Sequence, residues 1–365
     1  MNLGTWLRNC AREYQNDPTR RRLIETIDEA FQIREDDPGD ALHRYREGKD
    51  LANRLGEKWW SLLFDKLQLD AKIHFLRDFR DILEPAEACI REVGNSVYDT
   101  FPGSLAVHDT LVAAQIGIDA EGYSGSIHES LGALEQNMAE EPATDRYCLL
   151  ARQREFAIEE FRWDDALAIG LRELELVHAD PHADQANHFG AFAYAGLCRS
   201  AFERGMWAKL DEYAGEGESF CRAAGHQCEL AEILAWRAVA ERKRDDRDAA
   251  TRSLRDATTK QHGIQMPPRF GYFRARIAYF EIGNQPAEML HALDESLASV
   301  ADRNRALSEC RLRLERLRVL IYMRRSVEED VELARHASHR LRFPEKYLKL
   351  VEALQRGDAQ MRRSA

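Results

Sequence analysis

The chain of 365 residues has seven cysteines and no CxxC pair among them: Cys10, Cys89, Cys148, Cys198, Cys221, Cys228 and Cys310 are scattered and odd in number. That spacing excludes a disulfide framework and gives no zinc-ribbon ligand set, so reduced core thiols are expected. No apolar run is long enough for a membrane span, and the opening MNLGTWLRNCAREYQNDPTRRR carries no signal-peptide core, so a cytoplasmic protein with no membrane contact is expected. Proline is scarce at 10 residues and no Pro-, Gly- or Ser-rich linker interrupts the chain. A chain too long for one ordinary core and lacking a linker reads as one continuous, elongated architecture. Strict apolar-polar alternation is almost absent, which excludes a sheet-based fold. There is no phosphate loop and no dinucleotide fingerprint. GYSGS, Gly122 to Ser126, lacks the closing glycine of a nucleophile elbow and follows no strand. An enzyme is therefore not expected, nor a cofactor. With 52 Lys and Arg against 63 Asp and Glu, a net charge of −11 argues against a general nucleic-acid binder.

What the chain does contain, almost from end to end, is apolar residues three and four apart. In EDDPGDALHRYREGKDLANRLGEKWWSLL, Ala41, Tyr45, Leu51, Ala52 and Leu55 share a helical face. After Gly56, Trp59, Trp60, Leu63, Leu67 and Ile73 make a second. Neither helix can bury its stripe alone, so each needs neighbours on both sides. Trp59 and Trp60 cannot face the same way, so one is expected inside a hairpin and the other at a junction.

The same pattern returns in EEFRWDDALAIGLRELELV (Glu159 to Val177), KRDDRDAATRSLRDATTK (Lys243 to Lys260) and FEIGNQPAEMLHALDESLA (Phe280 to Ala298). Each ends a helix, turns on Asp, Gly or Asn, and enters a helix with small or apolar residues every third or fourth place. This resembles the tetratricopeptide (TPR) repeat, whose second helix opens on an acidic turn followed by alanine, as at Asp164, Asp165 and Ala166. Equivalent positions at Ala41, Ile82, Ser126, Ala166, Leu210, Ala250, Glu288 and Asp330 give a period of roughly 41 residues, against about 34 for the minimal TPR. HEAT and armadillo repeats run about 40 to 47, so a HEAT-like classification of the most degenerate repeats stays open. The resemblance implies an all-α fold, a right-handed superhelical solenoid of about eight antiparallel hairpins. Residues 1–18 form an N-terminal helical cap, 19–350 the array, and 351–365 a helix end and polar tail.

Metal-binding residue types gather in HADPHADQANH, where His178, Asp180, His182, Asp184 and His188 fall in one segment. Pro181 and Asp184 read more simply as a helix stop and a helix cap, so no metal site is expected there. Glu175 with His178 and Glu288 with His291 are Glu-x-x-His pairs about three repeats apart, too far along a solenoid to meet. His336 and His339 read as an exposed helical pair.

Charge is divided between the helices. Residues 304–326 carry seven arginines against two glutamates, while 327–340 carry two arginines against four acids. RFGYFRARIAYF, Arg269 to Phe280, has three arginines and no acid. Some of this is i,i+4 pairing, as Glu309 with Arg313. In TPR arrays the first helices line the concave face, which implies a basic inner groove in an acidic protein. Tyr272, Arg276, Tyr279, Arg311 and Arg318 are expected to approach that surface as partner-binding residues. Two functions compete. One is a non-enzymatic scaffold or adaptor clamping an acidic peptide segment or partner protein, with arginine forks for carboxylates. The other is a regulatory receptor for a signalling peptide or nucleic acid; the lack of a helix-turn-helix module before Thr19 weighs against direct transcriptional control.

Overall fold

Short acidic residues stand where helices begin. The Asp17 carboxylate accepts the amides of Thr19 (3.1 Å) and Arg20 (3.0 Å), Asp37 accepts that of Asp40 (2.9 Å), and Asp246 that of Ala249 (3.2 Å). Each satisfies an amide that the first helical turn leaves open. The computed structural model describes residues 3–94, 101, 103–137, 143–181, 186–301 and 305–356. Among them lie eighteen α-helices and no strand: α1 Leu3–Glu13, α2 Pro18–Ile33, α3 Pro38–Leu55, α4 Lys58–Asp70, α5 Leu83–Val93, α6 Ser104–Asp119, α7 Ser124–Asn137, α8 Ala143–Glu159, α9 Trp163–Ala179, α10 Ala186–Glu203, α11 Trp207–Ala224, α12 Gln227–Lys243, α13 Arg247–His262, α14 Phe270–Ile282, α15 Pro286–Ala301, α16 Ala306–Tyr322, α17 Glu328–His339 and α18 Glu345–Gln355. A π-helical turn, Ala71–Leu76, extends α4.

Helices pack on their neighbours in chain order, as in an α-solenoid. The even-numbered helices also touch one another, α4 on α6, α6 on α8, and so on to α12 on α14. Among the described residues no two odd-numbered helices pack more than marginally. From α4 onward the even helices therefore form an inner layer and the odd helices an outer one. Composition follows position. In α10 every residue from Phe189 to Phe202 is buried, and small residues such as Ala191, Ala193, Ala195 and Gly196 let neighbouring backbones come close. In α13 only Ala250, Ser253, Ala257 and Gln261 are buried, a single stripe at three and four spacing.

The turns repeat as well. At Phe161, Gly205, Asp245, Asn284 and Arg324 the backbone is left-handed, with φ between 51° and 66°. These residues recur about every 40 positions, between α8 and α9 and at each second junction after it. In each turn the next amide reaches back five residues: Arg162 to the Ala157 carbonyl (2.8 Å), Met206 to Ala201 (2.8 Å), Asp246 to Glu241 (3.0 Å), Gln285 to Phe280 (3.0 Å) and Arg325 to Leu320 (2.9 Å). This is the Schellman ending, which satisfies helix-terminal carbonyls and reverses the chain. Four of the five positions carry a side chain where glycine is favoured.

The N-terminal cap covers the tryptophan pair. Trp60 is buried, its ring 4.9 Å from that of Trp6, and its Nε1–H donates to the Tyr14 hydroxyl at 3.2 Å. Trp59 is half-buried between Trp6 (6.2 Å) and Phe101 (6.4 Å). The two rings do point to different neighbours, but α1 contacts both.

The array also curls on itself. Helix α16 packs against α6. The Asp119 carboxylate at the end of α6 accepts the backbone amide of Arg342 at 2.7 Å, more than two hundred residues on.

Replacing Arg324, an exposed left-handed residue, by glycine should relieve backbone strain and stabilise the fold by about 1 kcal/mol. The same change at Arg356, whose φ of −74° suits any residue, should give no gain. Urea midpoints of the two variants check this; equal shifts would contradict it.

Candidate functional site

Where the inner layer curls, α6, α8, α10, α12, α14 and α16 surround a cavity of about 140 Å³. Arg77, Arg154, Arg199, Arg269, Arg305 and Arg311 reach its wall, against Glu155, Glu159 and Glu232, with Phe79, Phe192 and Phe270 between them. Six cations line the wall against three acids, and two further acids behind it, Glu173 and Glu229, pair with Arg154 and Arg269.

Each arginine has a distinct setting. Arg154 is wholly buried and its Nε donates to Glu173, also wholly buried, at 2.8 Å. Gly196 makes room for it, since a Cβ there would lie 2.2 Å from Arg154 Nη1. Arg154 and Arg269 both stack over Phe192, at 4.3 and 3.9 Å from its centroid. Arg269 also donates to Glu229 at 2.9 Å. Arg199 (3.3 Å) and Arg311 share the carboxylate of Glu159, and Arg311 Nη2 adds a bond to the Glu159 carbonyl at 3.1 Å. Arg305 donates to the Pro268 carbonyl at 3.1 Å. Arg77 follows the π-helical turn in a left-handed conformation, φ 51°, and its buried Nε has no hydrogen-bond partner among the described residues. The same is true of Arg154 Nη1, Arg199 Nε and Arg311 Nε. Four guanidiniums thus retain unmet donors at one place, and buried donors are rarely left so.

Electrostatics agree with that accounting. Burial, then the charge of Arg269, pulls the Arg77 pKa down to about 10. Burial also lowers that of Arg199, with Glu159 opposing it. At Glu155 and Glu159 burial acts upward, but the surrounding arginines outweigh it and hold both carboxyls below the usual range. Glu232 goes the other way, raised by burial. The site favours added negative charge, and its donors suit carboxylate or phosphate oxygens.

The five residues expected to share a binding surface are divided by the structure. Arg311 lies in the cavity wall. Arg318, two turns further along α16, is spent on Glu315 of its own helix (2.9 and 2.7 Å). Tyr272, Arg276 and Tyr279 point away toward the outer layer. Tyr272 is buried, the Tyr279 hydroxyl lies 3.4 Å from that of Thr251 on α13, and Arg276 donates to Glu295 on α15 at 2.7 Å. Their i, i+4, i+7 stripe is the face by which α14 packs on its neighbours, the opposite face carries Arg274, and Arg269 precedes the helix at its N-cap. Arg274 is bound to Glu203 on α10 at 2.8 Å. Arg199 stands alone amid small residues in AGLCRSA, whereas Arg77 in FLRDFR and Arg154 in LARQREF have other charges beside them, and no spacing in the sequence links the three. Of the histidine-rich segment, His182 and Asp184 lie outside the described residues. Ser124 of GYSGS, the first residue of α7, donates to Glu160 at 2.8 Å. The chain matches no family model and no curated protein.

Behind the cavity, Arg152 donates to Asp109 (2.9 Å), to Glu155 and to His74 Nε2 (3.3 Å). Burial, then Arg152, Arg77 and Lys66, holds the His74 imidazole neutral with a pKa well below 6.5. Below pH 6.5 the unfolded chain takes up a proton there that the folded chain refuses, so stability is complete above that pH and falls with acidification. The expected loss is about 1.4 kcal/mol per pH unit below 6.5. Asp109 and Glu232, raised by burial, act in the opposite sense at lower pH. The measurement is therefore a difference: urea unfolding of His74→Gln between pH 7.5 and 5 should show a shallower decline than the parent, and parallel curves would refute the assignment.

Proposed function

We propose that this chain is a non-enzymatic interaction scaffold of tetratricopeptide type. In this reading α2–α3 through α16–α17 form eight hairpins wound as a right-handed superhelix, and the arginine-lined cavity takes the acidic, carboxylate-bearing end of a peptide or partner protein. The observation that carries it is the excess of guanidiniums in the cavity wall, six against three carboxylates. Size narrows the ligand. About 140 Å³ matches a cavity that holds roughly one benzene, so one terminal residue or acidic side chain enters and the rest of the peptide lies along the array. A nucleic-acid duplex has no room there. The reading includes a cytoplasmic setting, in which the seven cysteines, six of them buried and none in a disulfide, stay reduced. No described helix is long and apolar enough to cross a membrane.

The alternative, a receptor that signals through curvature, draws on a specific contact. A ligand carboxylate bound to Arg311 competes with Glu159, and that bond joins residues 152 positions apart across the curl. A scaffold and a receptor would share this first binding step.

Fluorescence polarisation with a labelled hexapeptide ending in Glu-Asp and a free carboxylate tests the step. The C-terminal amide of the same peptide should bind at least about tenfold more weakly, the equivalent of about 1.4 kcal/mol. Arg77→Gln should weaken the free acid to a similar degree and keep its melting temperature, since removing a poorly compensated buried cation does not loosen the fold. Equal affinity for acid and amide, no binding of either, or an unaffected Arg77→Gln would reject the proposal.

A further inference from the structure

Apart from the cavity, three potential ligands from distant parts of the chain converge. Glu35 lies in the turn between α2 and α3, His188 in the first turn of α10, and His226 immediately before α12. Their donor atoms all fall within 4.8 Å of one another, and all three residues are half-buried. The imidazole centroids are 5.6 Å apart at 57°. The Nδ1 atoms of both rings are buried without a hydrogen-bond partner. One such nitrogen costs roughly 1–3 kcal/mol, so two of them, on imidazoles that lie together within reach of a carboxylate, call for a common acceptor of lone pairs. Nearby charge does not remove the need. Glu229, a further acid whose charge acts on His188, is taken by Arg269 at 2.9 Å, and Arg34 lies over the Phe31 ring at 3.9 Å.

We propose that Glu35, His188 and His226 form a site for a divalent first-row transition metal, with zinc as the reference ion. Two imidazoles and one carboxylate are nitrogen and oxygen donors suited to zinc and its neighbours rather than to calcium or magnesium, which take oxygen shells. Tetrahedral bonds of about 2.0–2.1 Å set donor atoms about 3.3 Å apart, so side-chain rotation over roughly 1 Å closes the present spacing. A water molecule completes the fourth position. The metal binds the turn of the first array hairpin to the starts of two inner helices, from segments that sequence separation alone keeps apart. This proposal departs from the expectation of no metal, and uses His188 without the rest of its histidine-rich segment. It is independent of peptide binding in the arginine cavity.

The test uses the full chain, stripped with chelator and freed of any affinity tag. Titration calorimetry with zinc sulfate should show one equivalent bound at micromolar or tighter Kd, and zinc should raise the melting temperature by about 5 °C. Cobalt in its place should give the intense visible absorption of a tetrahedral site. Glu35→Gln, a change in a surface turn that leaves the core untouched, and His226→Gln should each weaken zinc at least about a hundredfold. His336→Gln/His339→Gln, in the exposed helical pair, should bind as the parent does. Absence of stoichiometric zinc binding by the parent, or undiminished binding by both Glu35→Gln and His226→Gln, would overturn the proposal.

Discussion

The bond between Arg311 and Glu159 holds together two things that the rest of the structure depends on. It closes the curl of the array, joining α16 to the end of α8, and it places charge in an interior that small and aromatic residues otherwise fill. An open helical array has no inside of this kind. Once the inner helices come round upon themselves, the arginines on their inner faces are withdrawn from water, and each must find an acid, a carbonyl, an aromatic face or a ligand. Glu159 serves two of them, Glu173 one and Phe192 two. Arg77 finds no hydrogen-bond partner for its Nε. Breaking such an arrangement by removing one member leaves an uncompensated buried charge, which costs more than the pair contributes. The network therefore sets which curvature the array can adopt more than it adds to stability.

The division into layers follows from the same closure. Inner helices contact neighbours on nearly every side, so they become apolar and small all round, and α10 shows this most fully. Outer helices keep one buried stripe and a charged solvent face, as α13 does. Glycine on the inner helices is a matter of approach rather than of turning. At Gly271 a Cβ would meet Glu232 Oε1 at 1.8 Å, so the absence of a side chain lets that carboxylate lie against the α14 backbone at the cavity edge.

The cavity and the Glu35–His188–His226 cluster share the inner helices α10 and α12 but ask for opposite charges. One gathers guanidiniums around a space with too few anions. The other gathers a carboxylate and two lone-pair donors with no cation among them. Their shared element is Arg269, in the cavity wall and bound to Glu229 one turn into the helix that His226 precedes.

Much of the architecture was present in local pattern. Helix content, the acidic caps, and the recurrence near Asp164, Asp246 and Asn284 depend on residues a few positions apart, where spacing alone decides which face is apolar. The left-handed turns at Phe161 and Arg324 were not legible, because those residue types disfavour the conformation and only the packed hairpin imposes it. The division of the arginines was beyond the sequence for a different reason. Tyr272, Arg276 and Tyr279 form a stripe that spacing identifies correctly as one face, but spacing cannot say whether the face meets a ligand or the neighbouring helices, and here it meets α13 and α15. Nor can it bring Arg77 beside Arg311, or Glu35 beside His226. Local periodicity determines that the chain makes helices which need neighbours; the curvature of the stacked array decides which side chains, hundreds of residues apart, share one low-dielectric space.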